Sequence, residues 1–166
     1  SNHYVGRTFI EPAQQVRQFG VRLKHNANHS CIKNKKIILI DDSIVRGTTC
    51  LKIIKMLNDA GAKEIHMKVA SPPITHPDCY GVDTPKQDEL LAAKKKNIKV
   101  MANYIGVQSL SFLSVAGLYK AMGEKKRNDN VPQFTDHCFT GDYPVVPIDK
   151  ALDKSKFDQL SFLSND

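Results

Sequence analysis

Asp41 and Asp42 stand side by side and are followed without a break by Ser43, Ile44, Val45, Arg46, Gly47, Thr48 and Thr49. These residue types divide into two chemistries. Carboxylates accept hydrogen bonds from sugar hydroxyls or hold a hard cation, usually through its waters, but they repel a phosphate. The loop behind them offers the reverse: short hydroxyl side chains, a glycine that lets the backbone approach an anion closely, and amides leading into a helix. Together they read as a site for a phosphate ester of a sugar.

Such a pair needs a strand to present it. Ile37, Ile38, Leu39 and Ile40 form a continuous apolar run rich in β-branched residues, which predicts a parallel strand covered on both faces and ending at Asp41. The carboxyl edge of an α/β sheet is where open sheets place their ligands. After the loop, Leu51, Ile54, Met56 and Leu57 recur at spacings near 3 and 4, predicting a helix over 50–60 stopped by Gly61. Residues 63–70 alternate into a second strand, and the proline-rich run 71–77 is a rigid connection. Strand, helix, strand makes a βαβ unit with a right-handed crossover. Further on, 86–96 and 98–105 read as short helices, 110–113 as a strand and 115–122 as a helix closed by Gly123; from Glu124 the chain turns polar and irregular, and 150–166 carry only a weak amphipathic pattern.

Other uses of a strand ending in two acids fit less well. Response-regulator receivers carry the pair near the amino terminus and a phospho-accepting Asp at a later strand end, whereas the next strand here runs into Ser71-Pro72-Pro73. A Walker-B strand requires G-x-x-x-x-G-K-[ST], which the sequence lacks. A plain acidic surface turn would have no need of Gly47-Thr48-Thr49 at that offset.

Composition bounds the rest. With 166 residues, 41% hydrophobic and 25% charged, the chain is ordinary globular sequence sufficient for one modest α/β domain. No apolar run approaches the ~20 residues of a membrane span and the start lacks signal-peptide organisation, so no membrane role and a cytoplasmic location are expected. A net charge of +7 suits nucleic acid or a substrate with several phosphates. The basic runs, Lys33 with Lys35 and Lys36, and Lys94 to Lys96, have no interleaved aromatics to stack bases, which argues against a nucleic-acid partner. Cys31, Cys50, Cys79 and Cys138 form no C-x-x-C pair and are read as buried or incidental thiols.

The amino-terminal third has a different character. Residues 4–12, YVGRTFIEP, read as an extended segment ending in a turn, and 14–28 carry Arg17, Arg22, Lys24 and His25 among few large apolar residues. A basic, weakly anchored segment beside a phosphate site suits closure over a polyanion, excluding water from the reacting centre.

IILIDDSIVRGTT resembles the phosphoribosyl pyrophosphate (PRPP) signature of the type I phosphoribosyltransferases. Adding YVGRTFIEPAQQVR, LKHNAN, SPPITHP, YGVDTP, ELLAA, LSFLS and CFTGDYP, the chain over roughly 3–145 resembles the amidophosphoribosyltransferases. That resemblance implies an α/β, type I phosphoribosyltransferase-like fold: a mainly parallel sheet flanked by helices, with a flexible amino-terminal loop. It implies a partial domain over 1–124, of which 1–30 would close over PRPP, followed by a carboxyl-terminal extension, 125–166. Asp41 and Asp42 would face the ribose hydroxyls and Mg²⁺, Ser43 to Thr49 would wrap the 5′-phosphate, and Tyr4, Arg7 and Lys24 would lie in the closing loop, Arg7 and Lys24 meeting the pyrophosphate.

The implied reaction is displacement of pyrophosphate from C1 of PRPP by ammonia, giving 5-phosphoribosylamine, the first step of purine synthesis. Such a displacement passes through an oxocarbenium-like state, so leaving-group charge must be neutralised and water excluded. Ammonia needs no side-chain nucleophile, and His66 and His76 are accordingly read as structural. The resemblance further implies ammonia delivered from a glutaminase domain with no match here, purine nucleotides as feedback ligands, and a homo-oligomer. The chain starts at Ser1, and the first strand of the transferase domain would precede Tyr4; a carboxyl-terminal fragment, with its own activity in doubt, is the expectation. One branch of the family holds an iron-sulfur cluster on cysteines, but Asp78 and Thr135 stand where two would be and Cys138 alone remains, so no cluster is expected. A non-catalytic PRPP- or purine-sensing regulator on the same fold is the alternative.

Overall fold

A computed structural model of the chain describes residues 28–145. They fall into two compact units. One takes the described residues up to Asp42 together with Gly47–Val69 and Asn97–Ser111; the other takes Ser43–Arg46, Ala70–Lys96 and the described residues from Phe112 onward.

The first unit is built on a βαβ motif. A short helix, α1 (His29–Ile32), precedes strand β1 (Lys36–Asp41), helix α2 (Thr48–Asp59) and strand β2 (Glu64–Val69). Helix α4 (Ile98–Ile105) and strand β3 (Ser109–Phe112) follow later in the chain, and β2 is the central strand in the order β1-β2-β3. β1 and β2 run parallel, with Ile38 opposite His66 and Asp41 opposite Val69. Alternation along β2 sends Ile65, Met67 and Val69 into the core, where Ile54 and Leu57 of α2 and Met101 and Ile105 of α4 are also buried. Each such side chain contributes about 1.5–3 kcal/mol relative to exposure. Gly61, at φ 84°, ends α2: its N–H donates to the Asn58 carbonyl (2.8 Å) and that of Ala62 to Leu57 (3.1 Å), closing the helix where the sequence predicts.

One expectation for β1 fails. Ile38 and Ile40 are 66% and 72% exposed, so β1 is not covered on both faces among the described residues. Among the described residues it is an edge strand, and the face that carries Ile38 and Ile40 is polar on its neighbours. Lys36 pairs with Glu64 (3.0 Å), His66 Nδ1 lies 2.8 Å from Ser109 Oγ, and Lys68 Nζ donates to Ser111 Oγ (2.8 Å).

In the second unit the helix expected over 86–96 is broken. A 3₁₀ turn (Gln87–Glu89) and one helical turn, α3 (Leu91–Lys94), flank Leu90, which is fully buried in an extended conformation. The cause lies in the backbone: the Leu91 N–H donates to the Val45 carbonyl (2.8 Å) rather than to a residue of its own turn. Helix α5 (Val115–Ala121) starts on Ser114, whose hydroxyl accepts from Gly117 N (3.0 Å).

The polar stretch beyond Glu124 is ordered around Arg127. Its guanidinium binds Asp136 with Nε and Nη2 (2.7 and 3.2 Å), Asp142 (2.6 Å) and Asp129 (3.0 Å), while the buried Tyr119 hydroxyl donates to Asp136 (2.9 Å). Burial works to raise the Asp136 pKa, but the hydrogen bonds from Arg127, Tyr119 and Thr140 hold it below the ordinary carboxylate value. A short helix, α6 (His137–Thr140), follows. Among the described residues no helix is long and apolar enough to cross a membrane.

Candidate functional site

The acidic pair sits where the apolar run gives out. Asp41 is the last residue of β1 and half-buried; Asp42, exposed, donates its N–H to Asp41 Oδ1 (3.1 Å). This contact turns the first carboxylate forward onto the backbone of its neighbour. Beyond the loop, Gly47 occupies the N-cap of α2 at φ 79°, a left-handed conformation costly for any residue with a Cβ. Among the described residues no side chain caps α2, and Thr48 and Thr49 stand in its first turn, exposed and half-buried. Uncapped amides at the start of a twelve-residue helix, with two hydroxyls beside them, form an anion-favouring terminus. Burial, aided by the Asp41 charge, pushes the Cys50 thiol up to about 11; its Sγ donates to the Gly47 carbonyl (3.0 Å). Cys50 is therefore a protonated strut under the loop and not a nucleophile.

Residues Ser43–Arg46, between the acids and Gly47, belong to the second unit and are fastened there at three points. Ile44 is buried, the Val45 carbonyl accepts the Leu91 N–H, and Arg46 Nε pairs with Glu89 (2.9 Å). The loop thus has one buried apolar anchor, one backbone bond and one half-exposed ion pair. Glu89 and Leu91 are absent from the sequence-based assignment, because ELLAA reads only as a helix; only the fold brings it to the loop.

A second cluster of polar side chains lies in the same unit. Asp78 Oδ1 is 2.7 Å from His137 Nε2, with both side chains 5% exposed. Asp78 Oδ2 accepts the N–H groups of Tyr80 and Val82 (2.8 Å each), and Cys138 Sγ lies 3.4 Å from His137 Nε2. Burial alone would raise the Asp78 pKa; the two amides and His137 overcome it and hold the carboxyl below its ordinary value. Burial, with Asp78 and Cys79 nearby, raises the Cys138 thiol.

The placement of the expected site residues is uneven. Asp41, Asp42 and Ser43 to Thr49 are described, whereas Tyr4, Arg7 and Lys24 lie outside the described residues. His66 bridges Ser109 and Glu64 on the sheet face, and His76 shares a hydrogen bond with Thr75 (2.9 Å). Of the cysteines only Cys50 is buried, and Cys31 is exposed.

No family model matches the chain. Among curated proteins, it is 57% identical to the amidophosphoribosyltransferase of Rhizobium etli over 164 residues, 99% of this chain and 33% of that protein. It is 50% identical to the chloroplastic amidophosphoribosyltransferase 2 of Arabidopsis thaliana over 146 residues, 88% of this chain and 25% of that one. Against the amidophosphoribosyltransferase of Bacillus subtilis the identity is 48% over 144 residues, 87% of this chain and 30% of that one. The solved structure of glutamine PRPP amidotransferase from B. subtilis in complex with ADP and GMP matches with a TM-score of 0.67 and 48% identity, covering 86% of this chain and 31% of that one. The chain thus spans about a quarter to a third of the length of these relatives.

Proposed function

The chain belongs with the amidophosphoribosyltransferases, and from that premise we propose that it is the carboxyl-terminal, PRPP-binding portion of such an enzyme. The observation that carries this reading is the uninterrupted passage from β1 through Asp41 and Asp42 to the left-handed Gly47 at the uncapped start of α2. In this account Asp41 and Asp42 accept hydrogen bonds from the ribose hydroxyls, and the amides and hydroxyls of 43–49 receive the 5′-phosphate. One half-buried and one exposed carboxylate at a strand end suit Mg²⁺, which dehydrates reluctantly and is commonly shared between a carboxylate or two and substrate phosphates. The ion's contribution is neutralisation of charge on the departing pyrophosphate.

The remaining work falls to the chain. The Val45 carbonyl and the Arg46–Glu89 pair fix the loop before substrate arrives, so ordering it does not have to be met from binding energy. Arg7 and Lys24 stand in the account as cations for the pyrophosphate and Tyr4 as part of the closing segment, on the resemblance of their motifs. Ammonia is the acceptor, supplied by a glutaminase domain elsewhere in the complete protein, and purine nucleotides are the feedback ligands. A cytoplasmic homo-oligomer belongs to the same proposal.

The test is pyrophosphate release by the complete polypeptide supplied with PRPP, Mg²⁺ and ammonium. Release that depends on ammonium is the expected result. PRPP binding with no release would replace this reading with that of a PRPP sensor.

A further inference from the structure

We propose that Asp78, His137 and Cys138 form a mononuclear site for a divalent transition ion of the zinc class, separate in residues and chemistry from the acidic pair at the end of β1. One ligand atom from each, Asp78 Oδ1, His137 Nε2 and Cys138 Sγ, lies within 4.8 Å of the other two, at 2.7 Å (O to N), 3.4 Å (S to N) and 4.0 Å (S to O). Carboxylate oxygen, imidazole nitrogen and thiolate sulfur are together the donor set of zinc and its neighbours, not of Mg²⁺ or Ca²⁺.

The geometry excludes the other chemistry these residue types perform. A nucleophilic thiol activated by histidine needs thiol and carboxylate on opposite ring nitrogens. Here both approach Nε2, while Nδ1 is buried and has no hydrogen-bond partner among the described residues. Three donors of three different side chains converging on one point is an arrangement a cation would bridge.

The surroundings hold the donors in place as a ligand set requires. Asp78 Oδ2 is fixed by the Tyr80 and Val82 amides, so Oδ1 stays turned toward His137. The His137 ring is packed edge-on against Tyr80 at 4.8 Å and lies tilted against Tyr143 at 5.0 Å, and the Tyr143 hydroxyl donates to the Pro77 carbonyl (2.7 Å). The Cys138 carbonyl accepts the N–H groups of Thr75 and His76 (2.9 and 3.1 Å), tying α6 to the proline-rich segment.

Bonds of about 2.0–2.3 Å to a tetrahedral ion place ligand atoms about 3.3–3.6 Å apart. Asp78 and His137 therefore part by roughly 0.6 Å on binding, and Cys138 moves slightly inward. The Cys138 thiol gives up its proton to solvent to become a ligand, so binding is coupled to proton release. Three protein ligands leave a fourth position for water.

The experiment is titration of the reduced full chain with cobalt(II), followed by absorbance, with zinc counted by mass spectrometry after dialysis. One ion per chain is expected, with intense four-coordinate ligand-field bands and a thiolate-to-cobalt charge-transfer band. Cys138→Ser, a small change at a half-buried position, should remove the charge-transfer band. His137→Gln should weaken binding by more than the roughly 10–100-fold typical of losing an outer-shell partner. Cys79→Ser should keep both signatures, and zinc should raise the urea midpoint of the parent chain but not of Cys138→Ser. Absence of four-coordinate bands at excess cobalt overturns the proposal. So does a charge-transfer band that survives Cys138→Ser or disappears in Cys79→Ser. None of these readouts involves PRPP, so the result stands apart from the transferase reading.

Discussion

Replacing Arg127 with Met should destabilise the second unit by about 3 kcal/mol, nearly all of it through one carboxylate. Arg127 touches three acids, but Asp129 and Asp142 are 88% and 51% exposed, and pairs of that kind contribute about 0–1 kcal/mol. Asp136 is 3% exposed and bound twice by the guanidinium, and removing one partner of a buried pair costs about 3–5 kcal/mol because it strands the other charge. The lower end of that range applies, since the Tyr119 and Thr140 hydroxyls still donate to Asp136. With a urea slope of roughly 2 kcal/mol/M for a chain of this size, the midpoint should fall by about 1.5 M.

Asp136→Asn in the same background keeps the hydroxyl contacts and removes the stranded charge, so the double variant should recover at least about 1 kcal/mol. The pH dependence gives a sign to check. In the parent the Asp136 pKa is depressed, so its stabilisation is present above the unfolded carboxyl value of about 3.9 and is lost as pH falls through the folded one. In Arg127→Met the same carboxyl is buried without its cation and its pKa rises, so acidification relieves the defect. The gap between parent and variant must narrow below about pH 5. With no Trp in the sequence, urea unfolding is followed by circular dichroism and tyrosine fluorescence. A loss under about 1 kcal/mol, or a gap that widens in acid, would refute the argument that Asp136 depends on Arg127.

Glu89→Gln removes a half-exposed ion pair, so stability should change by no more than about 1 kcal/mol while PRPP binding, read by calorimetry, weakens about 2- to 5-fold through the loosened loop; unchanged affinity would show that the loop does not need Glu89. Gly47→Ala forces a Cβ into the left-handed region at φ 79° and should cost about 1–2 kcal/mol in urea unfolding, with PRPP binding reduced in parallel; a stabilised variant would contradict the assigned conformation. Exposed Cys31 should be alkylated by iodoacetamide at pH 8 well before Cys50, whose thiol is raised to about 11, as peptide mass spectrometry would record; equal labelling would mean that Cys50 is neither buried nor protonated.

The signature was legible because its chemistry is contiguous: strand, acids, hydroxyls and glycine follow in chain order, and α2, β2 and α4 appear where their periodicity predicts. What escaped depends on partners distant in sequence. The run 86–96 has helical composition throughout, and nothing in it announces that the Val45 carbonyl will take the Leu91 N–H. Asp78 and His137 are separated by 59 residues, so neither reads as half of a pair. Arg127 sits in a stretch without hydrophobic periodicity, and its order comes from carboxylates on both sides of a turn together with Tyr119. The apolar run of β1 predicts cover on two faces, yet Ile38 and Ile40 are exposed among the described residues, since composition cannot say which neighbours a strand will have.

We propose that Asp41 and Asp42 bind the ribose and Mg²⁺ of PRPP. Isothermal calorimetry of PRPP binding with and without Mg²⁺, on the parent and on the Asp41→Asn, Asp42→Asn double variant, tests it most directly. Losing two charged acceptors at about 1.5 kcal/mol or more each predicts at least a 100-fold loss of affinity, with the Mg²⁺ dependence abolished. An affinity within twofold of the parent, still dependent on Mg²⁺, would contradict the assignment.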